Sequence, residues 1–383
     1  MRWVRRHIAR LHPRTAVVTL AALAVLGVLG AAAVVGLGLY NVSAHRGHLP
    51  GVSWMLATTF ENSVRLRAGG DPPPADLRSA EMVALGAGHY ATACTPCHAA
   101  PGQDRSATVR EMKPEPPHIV EAVKGWNAAE LHWIVREGVK MTGMPGWPSD
   151  RADEVWPVVA FLLEVDAMTA EDYRALTAAP AGADELADAD GRGGAFCTVC
   201  HNSDGVSDNP RIPRLDILSE EYILRSLLAY RSGARDSGIM EQAMSLVDEA
   251  EIAGLAAYFA RNTPEGDGAA LTETAARGRD LAYAADPAAD VPACRACHGP
   301  WPEPRNALFP SLAGQYAPYL RQQLRLWRDE QRGGGPAAEL MRQASRELTD
   351  EDIAALAAYY AALAPAKEPS DAQARPGDGA DDP

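Results

Sequence analysis

The six cysteines of this 383-residue chain occur as three copies of one pattern, in which two residues separate a pair of cysteines and a histidine follows directly. The copies are Cys94-Thr-Pro-Cys97-His98, Cys197-Thr-Val-Cys200-His201 and Cys294-Arg-Ala-Cys297-His298. In such a pattern both thiols form thioethers with the vinyl groups of haem, and the adjacent histidine binds the iron. The sequence therefore predicts three covalently attached haems c, with His98, His201 and His298 as axial iron ligands.

Two other chemistries use a Cys-x-x-Cys pair. A single pair is also typical of a thioredoxin-like redox site or of half a zinc site. The chain has only 10 histidines, so chance does not account for one after all three pairs. Zinc would also require a second pair of cysteines or histidines in each domain, and the sequence has none. The pattern thus favours haem.

Methionines are the expected second axial ligands. Met240-Glu-Gln-Ala and Met341-Arg-Gln-Ala each begin 12 residues before a matched isoleucine, which predicts Met240 and Met341. In the first repeat the candidates are Met141 and Met144. The Gly-Met-Pro turn favours Met144 and leaves Met141 as the alternative. Methionine–histidine ligation fills both axial positions and raises the reduction potential, so electron transfer rather than catalysis is expected.

Other histidines and three prolines complete the expected sites. His118 and His132 are alternative ligands, although His132 lies in a helical run and is interpreted as structural. The ring proton of each motif histidine is expected on Nδ1, held by a backbone carbonyl. The acceptors predicted for these protons are Pro117, Pro213 and Pro310.

The elements that position these residues repeat along the chain. The motifs are 103 and 97 residues apart, which is typical of a repeated domain of about 100 residues. Apolar stripes at helical spacing predict helices over 155–162, 252–259 and 353–360. The expected N-caps of these helices are Asp153, Asp248 and either Thr349 or Asp350. No stretch alternates as a strand does, so an all-α fold is expected.

An uncharged apolar run from Thr15 to Tyr40 follows five arginines within residues 1–14. The run is long enough to span a bilayer and too long for an ordinary signal-peptide core. The positive-inside rule places residues 1–14 in the cytoplasm and the body in the bacterial periplasm. Cleavage after Ala44 is the alternative. Residues 41–80 are interpreted as a stalk, with an interfacial helix or a docking arm as alternatives.

Charge limits the class of partner. The formal net charge is −14 although the first 14 residues are basic, so the body is strongly acidic. Such a body repels nucleic acid. It suits docking to basic faces of redox proteins, although solubility alone is an equally good explanation.

Residues 275–363 resemble one domain of the bacterial dihaem class I cytochromes c. The resemblance lies in the third motif, Phe309-Pro-Ser-Leu-Ala-Gly-Gln315, Met341 and Leu348–Tyr359. The second domain is similar, although Gly191–Phe196 leaves little room for the usual first helix. The first domain resembles membrane-attached monohaem cytochromes c through Gly86, Tyr90, Cys94 and Lys140-Met-Thr-Gly-Met-Pro. In that family the methionine before proline is the iron ligand, which implies Met144.

The resulting prediction is three class I cytochrome c domains in tandem after a transmembrane helix. The expected parts are a basic N-terminus (1–14), an anchor (15–40), a stalk (41–80), domain 1 (81–167), a linker (168–190), domain 2 (191–262), domain 3 (263–363) and a disordered tail (364–383). The predicted function is an electron carrier, not an enzyme, between a quinol-oxidising complex or dehydrogenase and a terminal oxidase or another acceptor. The alternatives are a cytochrome subunit of an alcohol, aldehyde or sugar dehydrogenase and a cytochrome c peroxidase.

Overall fold

The computed structural model describes residues 13–178, 194–284, 293–299 and 306–365, apart from positions 307 and 336. Every regular element within these ranges is helical, and none is a strand. The predicted all-α class is therefore confirmed for this part of the chain. Nearly all of segments 1–14 and 364–383, residues 179–190 of the expected linker and Gly191–Gly193 lie outside the described residues.

The helices are short except for the first two. Up to residue 177 the α-helices are α1 (Pro13–Gly36), α2 (Pro50–Arg67), α3 (Ala80–Ala93), α4 (Thr95–His98), α5 (Ala107–Arg110), α6 (Ile119–Ala122), α7 (Ala128–Glu137), α8 (Val155–Leu162) and α9 (Ala170–Thr177). After the gap they are α10 (Gly194–His201), α11 (Glu220–Arg231), α12 (Gly238–Met244), α13 (Ile252–Ala260), α14 (Glu273–Tyr283), α15 (Arg295–His298), α16 (Ala317–Arg328), α17 (Ala338–Ser345) and α18 (Asp350–Ala362). Short 3-10 helices are Ala152–Glu154, Val165–Ala167 and Glu249–Glu251.

Helix α1 contains 24 residues, none of them buried. At about 1.5 Å per residue it is roughly 36 Å long, and a bilayer core is about 30 Å thick. Among the described helices it is the one whose length and composition would let it cross a membrane. The helix ends at Gly36, two residues before Gly38, whose φ of +63° does not continue a right-handed helix.

The first core cluster contains the first motif. Its centre is the crossing of α3 and α8, where Gly86 allows the backbones to touch: a Cβ added there would lie 1.8 Å from the Pro157 carbonyl oxygen. Tyr90 of α3 packs on Phe161 of α8 with ring centroids 4.9 Å apart. Tyr173 of α9 is also buried in this cluster.

The cluster extends beyond the expected domain on both sides. Within the expected stalk, α2 buries Val64, and its Phe60 meets Trp126 of the first domain edge-on at 5.7 Å. Helix α9 lies within the expected linker, because Thr169 and Asp172 cap it reciprocally and Tyr173 enters the core. The packed unit around the first motif therefore reaches past residue 167.

The second core cluster is built on α11 and α13. The third is built on α14, α16 and α18. In the third, α14 crosses α18 at Gly278, where an added Cβ would lie 1.9 Å from the Ala355 carbonyl oxygen. This close approach corresponds to that of Gly86 in the first cluster. Each of the three clusters includes the first cysteine of one motif among its packed residues.

The three helices predicted at matched positions are confirmed as α8, α13 and α18. Thr349 caps α18, and Asp248 forms a capping box with Glu251 in the turn before α13. The predicted cap Asp153 is wrong. It lies inside a 3-10 helix, where its carboxylate accepts hydrogen bonds from Arg151 instead.

Candidate haem-binding sites

The third motif lines an apolar cavity of about 600 Å³. This volume lies within the range of about 300–1,000 Å³ common for cofactor sites. Both Cys294 and Cys297 face the cavity and neither is in a disulfide. The cavity is also lined by Met341 of α17 and Leu356 of α18.

His298 and Met341 converge across this cavity. The Nδ1 atom of His298 lies 2.9 Å from the Pro310 carbonyl oxygen, and Nε2 lies 3.4 Å from the Met341 Sδ atom. Because a carbonyl only accepts, the proton lies on Nδ1 and Nε2 presents its lone pair. Two lone-pair donors therefore face each other, an arrangement that suits a metal ion bound by both.

The first site repeats the histidine geometry. His98 directs Nδ1 at the Pro117 carbonyl oxygen at 2.8 Å, as predicted. Met144 is partly buried, whereas the Met141 side chain is 75% exposed on a backbone with a φ of +63°. Within the described residues, a histidine nitrogen within hydrogen-bonding distance of a methionine sulfur is found in the third site and not in the first or second.

In the second site His201 is buried, and burial lowers its pKa to about 4. The Pro213 carbonyl opposes this shift, but its contact with Nδ1 falls short of hydrogen-bond geometry. Met240 lies on α12, and its backbone N–H donates to the hydroxyl of Ser237 at 3.3 Å. The predicted pair is therefore placed on separate elements of one packed unit.

The two alternative histidine ligands are engaged elsewhere. His132 is buried, stacks on Trp156 at 4.1 Å and directs Nε2 at the Ala152 carbonyl oxygen at 2.9 Å. His118 directs Nε2 at the Gln103 carbonyl oxygen, also at 2.9 Å, and its Nδ1 accepts from the backbone at Val120. Both nitrogens of His118 are therefore committed to the backbone.

Four of the cysteines lie in surroundings that favour the neutral thiol. Burial raises the pKa of Cys94 to about 12 and that of Cys197, Cys200 and Cys294 to about 11. Zinc sites and redox-active pairs require thiolates, which such surroundings disfavour. No cluster of three or more histidine, cysteine or acidic side chains suited to a metal ion occurs in the described ranges.

Two buried arginines, Arg235 and Arg332, also line the third cavity. They are called here the arginine pair. Each hydrogen-bonds a tyrosine from the other repeat: Arg235 donates to Tyr319 Oη at 3.4 Å, and Arg332 donates to Tyr222 Oη at 3.2 Å. No carboxylate pairs with either cation within the described part of the chain, and the Nε atom of Arg332 is buried without a partner.

These residues fit haem c. A buried charge is costly unless it is paired, so the arginine pair calls for acidic groups that a haem propionate would provide. The apolar cavity suits the macrocycle, and the two cysteine thiols, the neutral imidazole and the methionine sulfur suit its attachment and its iron. The arginine pair was not predicted from the sequence, although Arg235 and Arg332 are separated by the same 97 residues as the second and third motifs.

These sites in an all-helical fold define a multihaem c-type cytochrome. The family described as cytochrome c oxidase, cbb3-type, subunit III matches residues 81–162, and the family described as cytochrome c matches residues 275–364. The thiosulfate dehydrogenase electron acceptor of Thiomonas intermedia is 35% identical over 46% of this chain and 83% of its own length. Cytochrome c4 of Thiocapsa roseopersicina is 36% identical over 44% of this chain and 86% of its own length.

Solved structures of cytochromes are also similar to part of the chain. Reduced cytochrome c4 from Pseudomonas stutzeri is 28% identical, with a TM-score of 0.40, over 48% of this chain and 98% of that chain. From its sequence relatives, this chain belongs to the c-type cytochromes, in a group with the dihaem cytochromes c4. It is an electron-transfer protein that binds haem c.

Proposed function

We propose that the chain is a triheme relay that carries electrons between a periplasmic or membrane donor and a terminal oxidase. The observation that carries this proposal is the convergence of His298 Nε2 and Met341 Sδ, 3.4 Å apart in the third cavity. With both axial positions filled, a haem iron exchanges electrons and has no open position for a substrate.

The same ligation is proposed for the other two motifs. Cys94 and Cys97 would hold the first haem, with His98 and Met144 on its iron. Cys197 and Cys200 would hold the second, with His201 and Met240. Cys294 and Cys297 would hold the third. This assignment is supported by the repeated sequence around the motifs and by the motif histidines, whose pKa values are all lowered by desolvation. It makes three domains, each with one haem, of which the first includes helix α9 beyond residue 167.

The chain is proposed to be anchored in the bacterial inner membrane by α1, with its N-terminus in the cytoplasm and its haems in the periplasm. The length and composition of α1 and the five arginines before it support this orientation. Helix α2 would then hold the first domain close to the membrane, because α2 follows the anchor directly and packs on that domain.

The names of the matching family and of one relative support the proposed electron acceptor and electron donor. The first domain matches a subunit family of a cbb3-type oxidase, so an oxidase is the proposed acceptor. A relative that covers almost half of the chain is named for accepting electrons from thiosulfate dehydrogenase, so a dehydrogenase is a proposed donor beside a quinol-oxidising complex. An acidic body would speed encounter with basic faces of both partners.

Stopped-flow mixing tests the relay. The reduced full-length protein in detergent is mixed with a purified cbb3-type oxidase, and haem oxidation is followed at increasing salt. We expect rapid oxidation that slows as salt screens the acidic surface. Oxidation that stays slow at every salt concentration would overturn the assignment of an oxidase as acceptor. A salt-independent fast rate would leave the relay intact and refute electrostatic docking.

A second function is favoured by the same relatives. If the chain is a subunit of a dehydrogenase complex, it will co-purify stoichiometrically with a dehydrogenase from its own membranes. It will then be reduced at once by that enzyme's substrate. Isolation without a dehydrogenase at low salt, together with fast reduction by a quinol-oxidising complex, favours the free relay.

A further inference from the structure

We propose that the first domain holds the iron ligand of the second: Glu154 and Trp147 fix the helix that carries Met240. The inference rests on the proposed function, because it takes Met240 as an axial ligand. Glu154 and Trp147 act as positioning residues, since neither is expected to touch iron. As a consequence, the ligation and the reduction potential of the second haem depend on how the first domain packs against the second.

A hydrogen-bond chain runs from Glu154 to the backbone of Met240. The Ser237 hydroxyl donates to Glu154 Oε1 at 2.6 Å. The same hydroxyl oxygen accepts the backbone N–H of Met240 at 3.3 Å. The second oxygen of Glu154 accepts from the backbone N–H of Ile239 at 3.5 Å. The two contacts of Glu154 join residues that are 83 and 85 positions apart.

The carboxylate is itself fixed from within the first domain. Glu154 is 6% exposed and forms an ion pair with the buried Arg151, with 2.6 Å between Oε1 and Nη1. Arg151 is held in turn by Asp153, with an Nη2–Oδ2 distance of 2.7 Å. A paired, buried carboxylate with this many partners has one position, so it provides a rigid reference for Ser237.

Trp147 makes a second contact with the same helix. It faces Gly238, the first residue of α12, so closely that an added Cβ would lie 2.2 Å from the indole Nε1 atom. Trp147 follows Met144 by three residues, and its backbone N–H donates to the Arg136 carbonyl at 2.8 Å. The methionine segments of the first and second domains are therefore in direct contact.

The third site lacks this support and serves as an internal comparison. The residue three positions before Met341 is Ala338, which has no hydroxyl, and the helix of Met341 begins without a side-chain cap. Ser345 of the same helix donates to the Met341 carbonyl at 2.6 Å, so that helix is stabilised within its own domain. The helix that carries Met240 is therefore held by another domain, whereas the described contacts that hold the helix of Met341 come from its own domain.

The test uses the haem-loaded, full-length protein and two variants. Ser237→Ala removes the link between the domains and leaves the Glu154–Arg151 pair intact, whereas Glu154→Gln keeps the shape and removes the charge. Ser345→Ala is the matched control, because it deletes a hydroxyl beside the other proposed ligand. The readouts are the charge-transfer absorption of ferric iron bound by methionine sulfur and a redox titration that resolves the three haems.

We expect Ser237→Ala and Glu154→Gln to weaken the iron–sulfur absorption of one haem and to lower its potential, with Ser345→Ala unchanged at that haem. The affected haem should be the one that Met240→Leu alters. If the two variants lose thermal stability but keep wild-type spectra and potentials, their role is merely structural and the inference is overturned.

Met240→Leu separates this failure from failure of the proposed function. If Met240→Leu loses about one third of the iron–sulfur absorption while the two variants do not, the ligand is right and the positioning is wrong. If Met240→Leu itself loses nothing, the ligand assignment fails and the inference falls with it.

Discussion

A proline carbonyl sets the ring of the motif histidine in two of the sites. His98 and His298 direct Nδ1 at carbonyl oxygens 2.8 and 2.9 Å away. Burial lowers the pKa of both rings, so the neutral form is present near neutral pH and its Nε2 lone pair is free for iron. The protein itself therefore orients these two histidine rings for binding iron.

At the first site the two methionine candidates can be separated by substitution. Met144 is partly buried in a turn, and Met141 is 75% exposed. We therefore expect Met144→Leu to remove about one third of the iron–sulfur absorption of the ferric protein, because one of three proposed ligands is lost. Met141→Leu is the matched control and should retain the full signal. The reverse result would identify Met141 as the ligand.

The number of haems can be tested at the cysteines. A double variant, Cys197→Ser with Cys200→Ser, removes both thioether positions of the second motif. The purified protein should then contain about two haems for each chain instead of three, measured as pyridine haemochrome against protein concentration. A wild-type ratio of about two would mean that one motif is not loaded.

At the scale of elements, two glycines decide how helices pack. Gly278 and Gly86 bring helix backbones into contact, and an added Cβ would lie 1.9 and 1.8 Å from a carbonyl oxygen. Such overlap is relieved only when α14 moves away from α18, or α3 from α8. The crossing of the first and last helices of a domain therefore depends on a residue without a side chain.

Gly278→Ala should destabilise the third domain by about 1–3 kcal/mol, because overpacking forces backbone shifts. The control is Gly254→Ala on α13, where nothing lies within 4 Å of the added Cβ. That change should raise stability by about 0.5–1 kcal/mol, since alanine favours a helix over glycine. Thermal unfolding of the haem-loaded protein measures both. Equal effects of the two substitutions would contradict the packing role of Gly278.

The sequence predicted those elements whose pattern is local. The apolar stripes located α8, α13 and α18. Of the three proline carbonyls predicted to hold the motif histidines, those of Pro117 and Pro310 do so. The burial of Val64 and the packing of Tyr173 into the first core were missed, because an isolated apolar residue in a polar stretch does not reveal its contacts. Asp153 was predicted to cap α8 because it lies just before that helix. Its ion pair with Arg151 is visible only in the folded structure.

Contacts between the repeats are harder still to predict from the sequence. Glu154 and Ser237 are 83 residues apart, and nothing in either local sequence indicates that they meet. The arginine pair is different in kind: Arg235 with Tyr319 and Arg332 with Tyr222 are reciprocal, so the repeat itself relates the two contacts. An alignment of the repeats can show that Arg235 and Arg332 correspond, but it cannot show which tyrosines they contact.

At the scale of the whole molecule, the arginine pair lies where the second and third repeats meet. Each cation also lies over an aromatic ring of its own repeat, 4.5 Å from Tyr230 and 4.7 Å from Trp327. Each donates to a tyrosine of the other repeat. The two cations are therefore shared between the repeats, and both border the third cavity. Their charge acts on whatever redox group is held there.

A positive charge near a haem disfavours the ferric state, which has one more positive charge than the ferrous state. Arg332 also lies close enough to His298 to help lower the pKa of that histidine, after burial itself. Arg332→Gln should therefore lower the potential of the third haem. A fall of about 60 mV corresponds to a tenfold change in a one-electron equilibrium. Arg235→Gln should lower a potential in the same direction.

Arg325→Gln is the control for these variants, because Arg325 is half exposed on α16 and pairs with Asp350 at the surface. Solvent and salt screen such a charge, so its removal should leave every potential within a few millivolts, or about one tenth of the Arg332 effect. A redox titration at two salt concentrations completes the test. The Arg332 effect should persist at high salt because the cation is buried. An effect that disappears with salt, or that Arg325→Gln equals, would mean that surface charge sets the potentials.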